Sequence, residues 1–187
     1  MNKILLCSAL GAATLLAAID TQAQGQFTFT GASVTLSTTG AKTSPSSGFD
    51  YGLYLGSTAN SISSTPILTL QGSGIAGGLI GGTQTLGTVP GGTTDFFVVK
   101  GWSASLGVTS YEAAIATMNG AAFAGVSPVG SVTFSASPSP AATLFGAGAG
   151  NIAANSLVLS PIPSPEPSTI ALAGLGIAGF VAARRRK

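Results

Sequence analysis

Apolar and polar residues alternate along most of the chain between Phe27 and residue 160. The clearest example is the run Phe49-Asp50-Tyr51-Gly52-Leu53-Tyr54-Leu55, and shorter runs begin at Phe27 and Val34. Alternation places every second side chain on the same face of a strand, so it indicates half-buried β-strands. Further strands are predicted over 67–71, 83–86, 96–103, 129–135 and 156–160. Clusters of Gly, Pro, Ser and Asn separate these runs and indicate turns.

The composition supports a turn-rich β protein. Charged residues make up only 6% of the chain, whereas about 25% is ordinary for a soluble domain. Hydrophobic residues reach 45%, which argues against a charged, disordered chain, and 27 residues are glycine. We therefore predict a mainly β fold. The predicted fold is a single antiparallel β-sandwich or jelly-roll-like domain, flanked by an N-terminal signal helix and a C-terminal transmembrane helix.

One short helix interrupts the β pattern. Thr109 and Glu112 have the spacing of a capping box, in which each side chain bonds the other residue's backbone amide. Apolar residues follow at helical spacing, and Asn119-Gly120 ends the pattern. The sequence predicts a helix over 110–118 that crosses one end or edge of the sandwich.

The N-terminus has the three regions of a secretory leader. Lys3 precedes an apolar run from Ile4 to Ile19, and Thr21-Gln22-Ala23 places small residues where a signal peptidase reads them. We predict a signal peptide over 1–23 that signal peptidase cleaves after Ala23. The only cysteine, Cys7, lies inside this leader, so the exported domain has no thiol.

The C-terminus has four elements in order. They are a Pro-rich linker over 161–167, the motif Pro165-Glu166-Pro167-Ser168 at its end, an uncharged stretch over 169–183, and Arg184-Arg185-Arg186-Lys187. A helix over 168–183 would be about 24 Å long, short of a hydrocarbon core of about 30 Å. The basic residues act as a stop-transfer cluster and would keep the C-terminus in the cytoplasm, with the β domain outside. The domain plan is therefore a signal peptide over 1–23, a β domain over 24–160, a linker over 161–167 and a span with a basic tail over 168–187.

These four elements resemble the PEP-CTERM sorting signal of Gram-negative bacteria. The resemblance covers roughly the last 25 residues, and the same tail type has also been labelled an ice-binding protein C-terminal region. It implies recognition by an exosortase, a membrane-embedded transpeptidase-like protease, followed by removal of the tail. A plain single-pass membrane anchor is the alternative. Both interpretations place the β domain outside, in the cell envelope, at the surface or in the extracellular matrix.

The middle of the chain is similar to a class of short, PEP-tailed secreted proteins of Verrucomicrobia-like bacteria. The similarity rests on Phe49–Gly56, on Val99-Lys100-Gly101-Trp102 and on Ser110-Tyr111-Glu112-Ala113-Ala114. It implies the β fold and no activity.

No catalytic, cofactor-binding or metal-ligating set is predicted, so we expect the protein not to be an enzyme. The chain contains no histidine, and the carboxylates between the two ends are far apart in sequence: Asp50, Asp95 and Glu112. A hydrolase would require two of them to meet in a cleft. Lys3 and the last four residues hold five of the seven basic residues, which makes nucleic-acid binding by the β domain unexpected.

Three aromatic residues leave a carbohydrate-binding alternative open. Tyr51, Tyr54 and Trp102 could stack on sugars of an extracellular polysaccharide, and Tyr54 is expected to be the most exposed because it alternates with Tyr51. Core packing is favoured for Trp102. An ice-binding or adhesin-type surface is less favoured, because the Thr-x-Thr runs at 28–30 and 83–85 follow no constant period. The leading hypothesis is a non-enzymatic envelope or exopolymer-matrix protein, with a Pro- and Gly-rich neck over 146–167 that separates the domain from the membrane.

Overall fold

The computed structural model of the chain describes residues 24–43, 48–72, 76–137, 139–164, 172–178 and 184. It contains eleven strands in these ranges, one short α-helix among the strands, one turn of 3-10 helix at Ala104–Leu106, and helical residues over 172–178. The helix is α1 (Tyr111–Ala116). The strands are β1 (Gln24–Ser33), β2 (Thr35–Leu36), β3 (Phe49–Gly56), β4 (Leu68–Gln71), β5 (Gly78–Pro90), β6 (Thr94–Ser103), β7 (Phe123–Val126), β8 (Gly130–Thr133), β9 (Ser135–Ala136), β10 (Ala142–Thr143) and β11 (Val158–Pro161).

The strands form two sheets. The smaller has the order β10-β1-β5, with β9 also paired to β1, and the larger has the order β2-β11-β7-β6-β3-β4, with β8 paired to β6. The mainly β prediction is confirmed, but the sheets are mixed rather than purely antiparallel. The two-residue strands β10 and β2 run parallel to β1 and β11. Neither of these short strands is joined to its partner by a tight hairpin turn, and only such a turn would require the two strands to be antiparallel.

Buried side chains from both sheets form one main core, as in a β-sandwich. Phe27 and Phe29 reach it from β1, and Leu53 and Phe97 reach it from the facing sheet. Aromatic rings in the core pack edge to face. The ring centroids of Phe27 and Phe134 lie 6.0 Å apart at an interplanar angle of 75°. This arrangement is favourable for the ring quadrupoles.

The β3–β6 ladder carries side chains on both of its faces. Tyr51 pairs with Gly101 and belongs to the main core, whereas Tyr54, three residues on, lies on the opposite face. A second group of buried residues packs on that outer face. We call it the outer cluster, and its members are Trp102, Ala114, Ala122, Ala124 and Ile162.

Helix α1 covers this outer face rather than an end or edge of the sandwich. It contacts β6 and β7, and Ala114 is its fully buried residue. The predicted capping box is wrong by one residue, because Ser110 is the N-cap and its Oγ accepts a hydrogen bond of 3.2 Å from the Ala113 amide. Glu112 is thereby left free of a capping role. The helix is also shorter than predicted and ends at Ala116.

The folded domain extends past the boundary predicted at residue 160. Strand β11 ends at Pro161, and Ile162 is only 2% exposed, with its amide donating to the Ala122 carbonyl at 2.8 Å. Ile152 and Leu157 are also buried in the main core. The neck predicted over 146–167 is therefore wrong for 146–162, because apolar residues between its Gly and Pro positions pack against the sheets.

The predicted N-terminal signal helix lies outside the described residues, and a membrane-spanning C-terminal helix is not shown. Of the helix predicted over 168–183, the structure describes residues 172–178, and these are helical, as is residue 184. No helix in the described ranges has the length and apolar character needed to cross a membrane. The signal peptide with Ala23, the motif Pro165–Ser168 and the basic residues Arg185, Arg186 and Lys187 lie outside the described residues.

Candidate functional site

The β3–β6 register keeps two of the candidate carboxylates apart. Asp50 pairs with Trp102 at one end of the ladder, whereas Asp95 lies seven residues before Trp102 on β6. At about 3.3 Å per residue, their backbones are roughly 23 Å apart. Catalytic carboxylate pairs of glycoside hydrolases are separated by about 5–9.5 Å. A hydrolase that uses Asp50 and Asp95 together is therefore incompatible with this fold.

Glu112 takes part in a different arrangement, which we call the Lys100 cluster: Tyr54 from β3, Lys100 from β6, and Tyr111 and Glu112 from α1. The Lys100 ammonium forms an ion pair with Glu112 Oε1. Tyr54 Oη donates to Glu112 Oε2 at 3.2 Å and accepts from the Tyr111 amide at 3.0 Å. The ammonium also lies 4.1 Å from the ring centroid of Tyr54 and 5.3 Å from that of Tyr111, within cation–π range.

The Lys100 cluster fastens α1 to the sheet by an ion pair and by hydrogen bonds. Burial, ahead of the neighbouring Glu112 charge, raises the pKa of Tyr54 to about 12, so its hydroxyl stays protonated and can donate to the carboxylate. The cation, the carboxylate and the hydroxyl each satisfy one another, which favours a structural role. Among the residues that the structure describes, no group of three or more His, Cys, Asp or Glu side chains could hold a metal ion.

The aromatic platform expected for sugar stacking is not exposed. Tyr54 and Trp102 are both 0% exposed, and Tyr51 is buried in the main core. The indole Nε1 of Trp102 donates to the Val108 carbonyl at 3.2 Å, which satisfies its polar atom inside the outer cluster. The predicted exposure of Tyr54 is therefore wrong. Alternation correctly placed Tyr54 on the face opposite Tyr51, but α1 covers that face.

An apolar groove lies between α1 and the last described residues of the domain. We call it the tail groove. It has a volume of about 730 Å³, and its lining residues are Tyr111, Glu112, Ile115, Ala116, Met118, Pro163 and Ser164. Ile115 is 40% exposed and Met118 57% exposed. Four apolar residues of this region recur at helical spacing in the sequence and form one stripe on the helix: Tyr111, Ala114, Ile115 and Met118. The sequence does not show that only part of this stripe is buried.

A second concavity is polar, and we call it the threonine cleft. It has a volume of about 320 Å³ and is lined by Thr94, Ser131, Val132, Thr133, Ala142, Thr143, Gly148, Ala149 and Asn151. The hydroxyls of Thr94 and Thr133 lie 2.7 Å apart, and Asn151 Nδ2 donates to Thr143 Oγ1 at 3.0 Å. The cleft therefore offers uncharged hydrogen-bonding groups, which no sequence motif had indicated.

Comparison with known proteins identifies the C-terminal tail. The family model of the PEP-CTERM protein-sorting motif matches residues 165–187, directly after the tail groove. No curated protein matches the chain, and no solved structure does so either. A PEP-CTERM motif implies export, sorting to the cell surface and processing by an exosortase, a membrane protease. Residues 165–187 of the chain therefore carry a PEP-CTERM protein-sorting motif.

Proposed function

We propose that the chain is a non-enzymatic protein of the cell envelope or exopolymer matrix, delivered by exosortase processing of its C-terminal tail. The observation that carries this proposal is the position of the motif. Ile162 is the last buried residue among those that the structure describes, and the matched motif begins at Pro165. Cutting at the motif would therefore release the β domain without removing any part of its core.

The sparse charge of the domain supports a structural role. Its buried polar groups satisfy one another, and no buried side-chain nitrogen or oxygen among the described residues lacks a hydrogen-bond partner. Active sites commonly keep strained or unpaired groups, whereas the Glu112 carboxylate is paired with both the Lys100 ammonium and the Tyr54 hydroxyl. Residues 1–23 would act as the leader for signal peptidase, and the tail would hold the precursor in the membrane until it is cut.

The test is intact mass spectrometry of the protein from fractions of a host that contains an exosortase. We expect the wild type at the surface or in the matrix, without residues 1–23 and without the C-terminal tail. Glu166→Ala is expected to keep the tail, because the substitution removes the acidic residue of the motif. Asp95→Asn, which removes an acidic residue far from the motif, is the control and is expected to be trimmed normally. Recovery of full-length, untrimmed wild-type protein from the cytosol would contradict the proposal.

A second candidate function is binding of an extracellular polysaccharide at the threonine cleft. Hydroxyl and amide groups pair well with sugar hydroxyls, and the cleft carries no charge that would exclude a neutral sugar. We expect the mature protein to bind a polysaccharide on a glycan array and Asn151→Ala to bind about tenfold more weakly. Ser61→Ala, on the loop after β3, is the matched surface control. Equal binding by Asn151→Ala and the wild type, or no binding by either, would eliminate this candidate.

A further inference from the structure

The tail groove borders the described segment that leads from the domain to the sorting motif. One wall is α1 with Ile115, followed by Met118, and the other is formed by Pro163 and Ser164. Pro165, the first residue of the matched motif, is bonded directly to Ser164. The groove and the motif are therefore neighbours through the covalent chain itself.

The exit segment is held against the domain rather than loosely tethered. Ile162 is buried in the outer cluster, and its amide bonds the Ala122 carbonyl. Ser164 packs on the backbone of Gly120, where an added Cβ would lie 2.8 Å from the Ser164 Cβ. Such close packing fixes the point from which the motif departs.

Chain length then limits how far the motif can lie from the groove. Four fully extended residues span at most about 14 Å, so Ser168 lies within that distance of Ser164. A membrane protease is much larger than this separation. An exosortase that binds residues 165–168 would therefore lie close to the surface formed by α1 and Met118.

That surface is suited to an apolar contact. Ile115 and Met118 are exposed, and the carboxylate of Glu112 at the groove is already paired with Lys100 and Tyr54. A partner that covers the groove gains apolar burial without having to strip water from an unpaired charge. Ile115 and Met118 line the same groove, and grouped apolar side chains mark interaction sites more often than isolated ones do.

We propose that the tail groove is a docking site for the exosortase that processes the tail, so that recognition extends from the linear motif to the folded domain. This inference rests on the proposed sorting function. It assigns Ile115 and Met118 to the interface and Pro163–Ser164 to positioning. It also predicts that the enzyme processes the motif faster on this folded domain than on a domain held at a distance.

The first experiment measures the rate of tail removal in a host that contains an exosortase, using the full chain. The test variant is Ile115→Gln with Met118→Asn. Glutamine keeps helix propensity at 115, and asparagine tolerates the positive φ of 50° at Met118. We expect tail removal to slow about tenfold. Val129→Ser removes a comparably exposed apolar side chain, 48% exposed and outside the groove, and is expected to be processed like the wild type.

A spacer separates docking from effects on folding or export. A flexible Gly-Ser insert of about ten residues between Ser164 and Pro165 lets the enzyme hold the motif away from the groove. We expect the spacer alone to slow processing, and the double substitution to have no further effect in the spaced chain. Equal processing of the double variant and the wild type would overturn the inference, as would an equal slowing with and without the spacer. Absence of processing in the wild type itself would instead contradict the proposed function.

Discussion

Trp102→Ala is expected to lower the free energy of unfolding of the β domain by about 3–5 kcal/mol. The indole is completely buried on the outer face of β6, where it packs with residues from α1, β7 and the segment after β11. Truncation removes its apolar contacts, leaves a cavity and deprives the Val108 carbonyl of its donor. Domains are typically stable by about 5–15 kcal/mol in total, so this loss is large. Chemical denaturation of the domain, followed by far-ultraviolet circular dichroism, measures it.

Two controls make the Trp102 result specific. Trp102→Phe keeps most of the apolar volume but loses the bond to Val108, so an intermediate loss is expected. Val129→Ala removes an exposed side chain and is expected to change stability by about 0.5 kcal/mol or less. Because Ile162 packs in the same outer cluster, Trp102→Ala should also increase protease cleavage just before the sorting motif. A loss below about 1 kcal/mol would show that the outer cluster is not a true second core.

Gly125→Ala is expected to lower the free energy of unfolding by about 3 kcal/mol, although it adds only one methyl group. Gly125 pairs with Gly101, and the Leu159 side chain covers both glycines, with its Cδ2 3.0 Å from the position of a Cβ at each. A Cβ at Gly125 would also overlap the Val158 carbonyl oxygen, which belongs to the backbone of β11. Backbone cannot rotate away as a side chain can, so β7 and β11 must separate.

The control for Gly125 is the same change at a strand glycine with more room. At Gly87 in β5 an added Cβ meets only the flexible Gln24 amide, at 3.6 Å, so Gly87→Ala is expected to be neutral or slightly stabilising. Thermal unfolding of the two variants beside the wild type compares them directly. Similar midpoints for Gly125→Ala and Gly87→Ala would mean that β11 is not held as closely to β7 as described.

The two predictions bear on sorting as well as on stability. Both Trp102 and Gly125 help hold the segment that ends at Ile162, and this segment sets where the sorting motif leaves the domain. A destabilised variant would be expected to expose the exit segment to proteolysis, because proteases cleave unfolded chains. The stability of the outer cluster therefore protects the same surface that we propose the exosortase contacts.

Local sequence was sufficient for most of the strands. Phe49–Gly56 and Thr94–Ser103 contain the predicted runs, because alternation is a property of neighbouring residues and needs no knowledge of the partner strand. The sequence missed β7, whose Phe123-Ala124-Gly125-Val126 has no polar residue to set the period. It also missed β10, which has only two residues. Whether a segment that is this short, or this uniformly apolar, forms a strand depends on the neighbouring strands with which it pairs.

The sorting motif is the part of the protein that the sequence by itself determined, because its elements are contiguous and their order alone identifies them. Tertiary structure decided what covers each face of the sheet. Alternation separated Tyr54 from Tyr51 but could not show that α1 would bury Tyr54, bring Glu112 to Lys100 and leave Ile115 exposed beside the tail. The physical reason is that periodicity assigns a side chain to a face, whereas burial depends on which distant segment packs against that face.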